Sequence, residues 1–432
     1  MLRAISLGFL SLMGNVLKPE PLPDVIPYRA LTWENAAVFE LSYEEDPQVQ
    51  QMVQGYVNQL ASGGKQAALQ GVWIQSEWLE LGQNEGTTPL SAASLTKVAT
   101  TLAALEKWPL DHQFTTQVYT TGTVNNGVLS GDLIVLGGDD PLFVWEEAIA
   151  VGNAINQAGI RQVQGNLLVV GDFSMNYAVD MVVSAQTLRM GMDQRQWNRE
   201  VSRQYNRMKP GTMKPQVAIA GTVQKLAELP DGATLLLTHE SLELSEILKL
   251  MNIYSNNAIA EAIAKNLGGG KAMGERVAQQ LGLPVAEVQL INGSGLGVDN
   301  RISPRAAVTM FQAIDEAIAA ETIAISDLFP VAGRDERGTM QGRNMPKGIV
   351  AKTGTLNQVS ALAGMIPTSN HGNVWFAIIN NGTWDVSGYR KQQDQLLQQL
   401  DSHWQLTPLS SMLIDISKDY FGNPDRIQQE SL

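Results

Sequence analysis

Ser94 and Lys97 stand three residues apart, a spacing that can join a nucleophile to its base with no histidine involved. A free serine hydroxyl is a poor nucleophile and needs a base within hydrogen-bond reach. A lysine serves only when burial or another cation lowers its pKa. Two further motifs follow in chain order, Ser255-Asn256-Asn257 and Lys352-Thr353-Gly354. Lys352 is a candidate for that second cation. Ser255 could pass a proton between Lys97 and a leaving group, and Asn257 could hold a substrate's amide backbone. Lys352 and Thr353 could bind a terminal carboxylate. Gly354 would let a substrate lie along a strand edge. The backbone N–H groups of Ser94 and Thr355 are candidate oxyanion donors. Taken together, the chemistry is acyl transfer on a substrate that ends in a carboxylate.

Each motif alone is weak, since a Ser-x-x-Lys arises by chance about once or twice in a chain of this size. Ser62-Gly63-Gly64-Lys65 is such a decoy, and Ser174-Met175-Asn176 repeats Ser-x-Asn. Local setting chooses between them. After Ser94, the apolar residues Leu95, Val98, Ala99, Leu102, Ala103 and Leu105 fall near helical spacing. Ser94 thus opens a helix, with Lys97 on the same face of its first turn. The two glycines of the decoy disfavour a helix there. Ser255 and Asn257 fall between LSEILKLMNIY and AIAEAIAKNLGGG, two helical patterns, the second ending at Gly268. GIVAKTGTLNQVSALAGMI reads as two adjacent strands, with NVWFAIIN as a third after a turn at Ser369 to Gly372.

As a set, these motifs resemble the low-molecular-mass class C penicillin-binding proteins, the D-alanyl-D-alanine carboxypeptidase/endopeptidase family (peptidase family S13). The flanking stretches NGVLSGDLIVLGGDDPLF, QAGIRQVQGNLLVVGDFS, INGSGLGVDNRISP and VAGRDERGTMQGR are similar to segments of that family, over roughly residues 50 to 400. Asn292 stands where the family usually has Asp, and Gly297 where it often has Ser. The resemblance implies an α+β fold of the β-lactamase/D,D-peptidase kind: an antiparallel sheet flanked by helices, a helical subdomain, and an inserted, shortened β-rich domain. It implies Ser94 as acylated nucleophile, Lys97 as base, Ser255, Asn257 and Lys352 as further catalytic groups, and Thr353, Gly354 and Thr355 as substrate-binding. The substrate would be a D-Ala-D-Ala-type peptidoglycan stem peptide, with β-lactams as inhibitors and no metal or organic cofactor. A serine β-lactamase or esterase of the same fold, and a non-catalytic wall-binding protein, are the alternatives. Fast deacylation would mark the first. Loss of a motif residue would be expected of the second.

Composition agrees with a globular enzyme: 44% of the 432 residues are hydrophobic and 17% charged, enough for a core. The net charge of −13 argues against nucleic acid as partner and offers no basic patch for anionic lipid. Cysteine is absent, and His112, His239, His371 and His403 are scattered without metal-like pairing, so neither a metal site nor a Ser-His-Asp triad is indicated.

Residues 1–46 read as a signal-like or anchor segment followed by a proline-rich acidic linker. The apolar run from Ala4 to Leu17 is short for a membrane span. A buried helix, or an interfacial anchor giving peripheral membrane contact, is the alternative. The family implies an extracytoplasmic, periplasmic enzyme. Residues 47–110 and 245–405 are expected to form a discontinuous catalytic domain, with an early strand around VWIQSEWLEL. Residues 111–244 would form the insert, of strands with one helix near 144–158. Its polar stretch at 185–214 reads as a solvated surface segment rather than a loop over the site. Residues 406–432 read as a tail, and the oligomeric state is open.

Overall fold

Two apolar layers sandwich the central sheet, and the sequence of its strands explains why. The computed structural model describes residues 46–77, 79–178, 180–335, 337–369, 371–404, 406–407, 414 and 421–430. The expected signal-like segment and its linker therefore fall outside the described residues, apart from Asp46.

Helix α1 (Pro47–Ser62) begins at Asp46, whose carboxylate accepts from the N–H groups of Gln48 and Val49. Strands β1 (Gln70–Gln75) and β2 (Glu80–Asn84) follow. The single strand expected around VWIQSEWLEL is thus a hairpin, folded back where the Ser76 N–H bonds the Leu79 carbonyl. Helix α2 (Thr96–Lys107) leads to β3 (Gln113–Thr120), β4 (Leu133–Gly138), α3 (Trp145–Gln157), β5 (Leu167–Asp172) and β6 (Thr234–Glu243). The chain returns through α4 (Leu244–Tyr254), α5 (Asn257–Asn266) and α6 (Pro304–Ile318) to β7 (Val350–Leu356), β8 (Val359–Pro367) and β9 (Asn373–Asn381). Helix α7 (Val386–Trp404) and a short strand β10 (Ile427–Gln429) close the fold.

The central sheet has the order β7-β8-β9-β1-β2 and is antiparallel throughout. Side chains alternate across it. Val359, Ala361, Ala363 and Met365 enter one core with α2 and α6, whereas Leu362 and Ile366 enter another with α1 and α7. Both faces are covered, which is why β8 is apolar nearly throughout and wholly buried. Truncating one of these side chains, such as Leu362 to Ala, costs about 2–5 kcal/mol.

The segment from β3 to β6 has its own core, built around Leu133, Val135, Ile149, Ile155, Leu167 and Val169. Its main sheet places a short strand, Val223–Lys225, beside β5 and continues β5-β4-β3-β6-β10, with β4 and β5 parallel. Two observations differ from expectation. The polar stretch contributes to two helices, Met181–Gly191 and Arg199–Tyr205, beyond the expected one at α3. Ala185, Leu188, Met192, Val201 and Met208 anchor that stretch in the core, but they are spread among charged and polar residues that mask the helical spacing. The C-terminal residues do not all form a tail, because β10 pairs with Leu237–His239 of β6. Arg426 secures it by donating to the Glu240 carbonyl and to buried Glu147. Three residues with one apolar side chain carry no strand signal.

Candidate active site

Ser94 lies in a single 3-10 turn, Ala93–Leu95, that runs into α2. Ala93 takes a left-handed φ of 49°, a conformation costing a non-glycine residue about 1 kcal/mol or more. The loop Asn292–Leu296 packs against it. A Cβ at Gly295 would lie 1.8 Å from the Ala93 carbonyl oxygen, so only glycine allows that approach. Ser94 remains half-buried while Lys97, on the first turn of α2, is completely buried. Lys97 Nζ donates to Ser94 Oγ at 3.1 Å, to Asn257 Oδ1 at 2.7 Å and to the Ser294 carbonyl at 2.7 Å.

The second motif owes its geometry to two helix ends. Ser255 caps α4 in the left-handed region, with φ 51° and ψ 43°. Asn256 then caps α5, its Oδ1 accepting from the N–H groups of Ala258 and Ile259. The middle residue thus fixes the turn, and the flanking Ser255 and Asn257 reach the two lysines. Ser255 Oγ accepts from Lys352 Nζ at 3.0 Å.

The third motif occupies β7, the edge strand of the central sheet. Lys352 Nζ also donates to the Thr353 carbonyl at 2.8 Å. Thr353 Oγ1 donates to Thr339 Oγ1 at 2.6 Å. A Cβ at Gly354 would stand 2.6 Å from the Ala92 carbonyl oxygen and 3.1 Å from the Ser94 nitrogen, so strand and nucleophile turn touch there. The Ala351 N–H points off the sheet edge to the Pro330 carbonyl. By strand alternation the N–H groups of Thr353 and Thr355 point the same way. The N–H of Thr355 therefore faces the open edge beside Ser94.

Electrostatics follow from burial. Desolvation lowers the Lys97 pKa to about 7, with the Glu261 carboxylate opposing. Burial, and then the charge of Lys97, hold Lys352 well below the ordinary lysine range. The expected relation between the lysines thus runs the other way: burial rather than Lys352 depresses Lys97, because Lys352 is itself driven towards the uncharged form. At neutral pH a substantial fraction of Lys97 is free amine, with its lone pair available 3.1 Å from the hydroxyl.

Several residues around the site were not singled out by sequence reading. Glu261 accepts from the N–H groups of Gly293 and Ser294, and so holds the loop whose Ser294 carbonyl meets Lys97. Its position one turn after Asn257 on α5 was the available signal. Thr339 is set by its own N–H to the Ile253 carbonyl. Buried Lys249 steadies the segment before it by bonding Asp335 at 3.1 Å. Arg390 of α7 donates to Thr355 Oγ1 at 2.8 Å. The decoys lie elsewhere. Lys65 meets Asp385 at 3.5 Å, and Ser174 Oγ bonds the Ala178 carbonyl within the insert. Among the described residues no group of His, Asp and Glu side chains could hold a metal ion.

Comparison with known proteins gives this arrangement a context. The profile described as the D-Ala-D-Ala carboxypeptidase 3 (S13) family matches residues 51–182 and 210–402. The chain is 35% identical over 188 residues to the D-alanyl-D-alanine carboxypeptidase of Actinomadura sp. (strain R39), covering 40% of this chain and 34% of that one. It is 28% identical over 186 residues to the D-alanyl-D-alanine carboxypeptidase DacB of Haemophilus influenzae, covering 39% and 38%. The match thus spans little more than a third of those two relatives. Among solved structures it resembles the penicillin G-acylated predatory endopeptidase Bd3459 of Bdellovibrio bacteriovorus in complex with the immunity protein Bd3460. There the TM-score is 0.67 at 22% identity, covering 79% of this chain and 94% of that one. The fold is shared.

Proposed function

Since this chain belongs to the D-Ala-D-Ala carboxypeptidase 3 (S13) family, we propose that it is a penicillin-sensitive serine D,D-carboxypeptidase/endopeptidase acting on peptidoglycan stem peptides. The observation that carries the reading is the 3.1 Å approach of buried Lys97 Nζ to Ser94 Oγ.

Uncharged Lys97 takes the hydroxyl proton as Ser94 Oγ attacks the carbonyl carbon of the penultimate D-alanine. Electron density moves to the carbonyl oxygen, held by the N–H groups of Ser94 and Thr355. The C–N bond then breaks, and Lys97 returns the proton through Ser255 to the departing D-alanine nitrogen. Lys352 and Thr353 offer hydrogen bonds to the carboxylate, Asn257 orients the peptide, and Gly354 leaves room along the strand. Water attacks the acyl-enzyme as Lys97 accepts its proton, the bond from the acyl carbon to Ser94 Oγ breaks, and Lys97 passes the proton to Oγ, which restores the hydroxyl and the free amine. No step calls for a cofactor. A β-lactam would open on Ser94 and leave an adduct that hydrolyses slowly. A peptidoglycan substrate places the enzyme outside the cytoplasm, in the periplasm. Among the described residues no helix is long and apolar enough to cross a membrane.

The test is incubation of the purified protein with a fluorescent penicillin, followed by intact-mass measurement and peptide mapping. A stable adduct on Ser94, absent from a folded Ser94→Ala protein, is expected. Drug hydrolysed without an adduct would point to a β-lactamase, and drug left intact to a binding protein. Release of D-alanine by Ser94→Ala would overturn the assignment.

A further inference from the structure

Recognition of a terminal carboxylate needs a positive charge at the strand edge, and the inference below rests on the function proposed above. Lys352 supplies that charge poorly. It is completely buried, its Nζ is engaged by Ser255 Oγ and the Thr353 carbonyl, and its pKa is held well below the ordinary range. Lys97 is likewise partly uncharged at neutral pH. A lysine that loses its proton loses its attraction for an anion.

Arg390 is placed differently. It lies in the early part of α7, is half-buried, and its Nη2 donates to Thr355 Oγ1 at 2.8 Å. Thr355 is exposed at the end of the motif strand. Thr353 and Thr355, two residues apart on β7, present their hydroxyls to one side. A carboxylate spanning those hydroxyls would sit beside the guanidinium. Among the described residues no carboxylate comes within 4.0 Å of Arg390. Asp394, one turn along α7, is already taken by Arg343 at 2.7 and 2.9 Å and by the Asn344 N–H at 2.9 Å. Burial and the Arg343 charge lower the Arg390 pKa, yet a guanidinium stays ionised in proteins. It also offers four N–H groups besides the one spent on Thr355.

We propose that Arg390, held by Thr355, is the specificity-determining cation that recognises the terminal carboxylate of the substrate and the matching carboxylate of a β-lactam.

The experiment compares acylation by benzylpenicillin with acylation by its methyl ester, which lacks the anion. Both rates are followed by intact mass in the parent protein and in Arg390→Ala and Arg390→Lys. Arg390→Ala should slow acylation by the acid about 10- to 100-fold and leave the ester rate within about 2- to 3-fold, since a charge-assisted contact is lost for one ligand alone. Arg390→Lys should recover part of the loss. Equal slowing with acid and ester would make Arg390 a packing residue and overturn the proposal, as would unchanged rates with both. A parent protein acylated by neither ligand would instead defeat the acyl-enzyme reading on which the proposal stands.

Discussion

Glu261 and Lys97 meet across a single residue, Ser294. The Ser294 N–H donates to Glu261 Oε1 at 3.1 Å, and the Ser294 carbonyl accepts from Lys97 Nζ at 2.7 Å. The carboxylate thereby fixes the carbonyl that orients the base. Its charge also favours the ammonium form and works against burial. Glu261→Gln keeps an acceptor for one of the two backbone N–H groups and removes the charge. The Lys97 pKa should then fall below its value of about 7. A base acts when deprotonated, so acylation speeds up as pH rises through that pKa. The rising limb of the pH–rate profile should therefore move to lower pH, by roughly half to one unit. A limb that stays in place, or moves up, would show that Glu261 has no electrostatic hold on the base.

Gly354→Ala tests the close contact between the motif strand and the nucleophile turn. The new Cβ would stand 2.6 Å from the Ala92 carbonyl oxygen, backbone that cannot swing aside. The strand must shift outward and carry the Thr355 N–H away from the oxyanion position. A displacement of this kind at a reacting centre costs about 100-fold or more in acylation rate. Stopped-flow measurement with a fluorescent penicillin reads the loss directly. A rate within a few-fold of the parent would mean that the edge N–H of Thr355 does not contribute.

The three motifs and their order were legible because each carries a local signature: a helix start at Ser94, a helix–helix junction at Ser255, a strand glycine at Gly354. The central sheet was legible for the same reason, in the long apolar runs of β8 and β9. What sequence did not disclose depends on distant partners. Glu261 acts on a loop more than thirty residues away, through backbone N–H groups that any residue but proline would present. Arg390 meets Thr355 across 35 residues, and an arginine on a polar helix face reads as solvated surface. The charge relation between Lys97 and Lys352 could not be read either, since its direction depends on how deeply each amine is buried. Strand β10 was missed because it is held by Arg426 and Glu147 rather than by an apolar pattern.

Asn292 has a function that the Asp usual at this place in the family would only half fulfil. Its Oδ1 accepts from the Gly295 N–H at 2.8 Å, and its Nδ2 donates to the Leu296 carbonyl at 2.7 Å. Asn292→Asp keeps the acceptor and sets a carboxylate against a carbonyl oxygen. The loop beside Ala93 should loosen, with about 1 kcal/mol of stability lost. Thermal unfolding and acylation rate measured together check this. The expected result is a lower Tm with acylation slowed only a few-fold. A higher Tm would show that the loop rearranges to accept the carboxylate.

Asp140 gives the insert a pH-dependent stability of predictable sign. Its side chain is buried and accepts from the Leu142 N–H at 2.8 Å. It faces a buried group in which Glu147 bonds His239 Nε2 at 2.8 Å and Arg426 Nη2 at 2.6 Å. Burial raises the Asp140 pKa from 3.8 to about 6, with His239 the largest opposing influence. The folded value lies above the unfolded one. The contribution to stability is therefore fully present below pH 3.8 and is lost as pH rises through about 6. Asn cannot ionise and keeps an oxygen for Leu142. Asp140→Asn should accordingly stabilise the protein at pH 8 by about 2–3 kcal/mol, with the gain shrinking as pH is lowered towards 4. Denaturant unfolding of both proteins at pH 8 and pH 5 measures the difference, because groups not coupled to residue 140 cancel between them. A variant destabilised equally at both values would mean that the Asp140 carboxylate is held by an interaction that outweighs its burial.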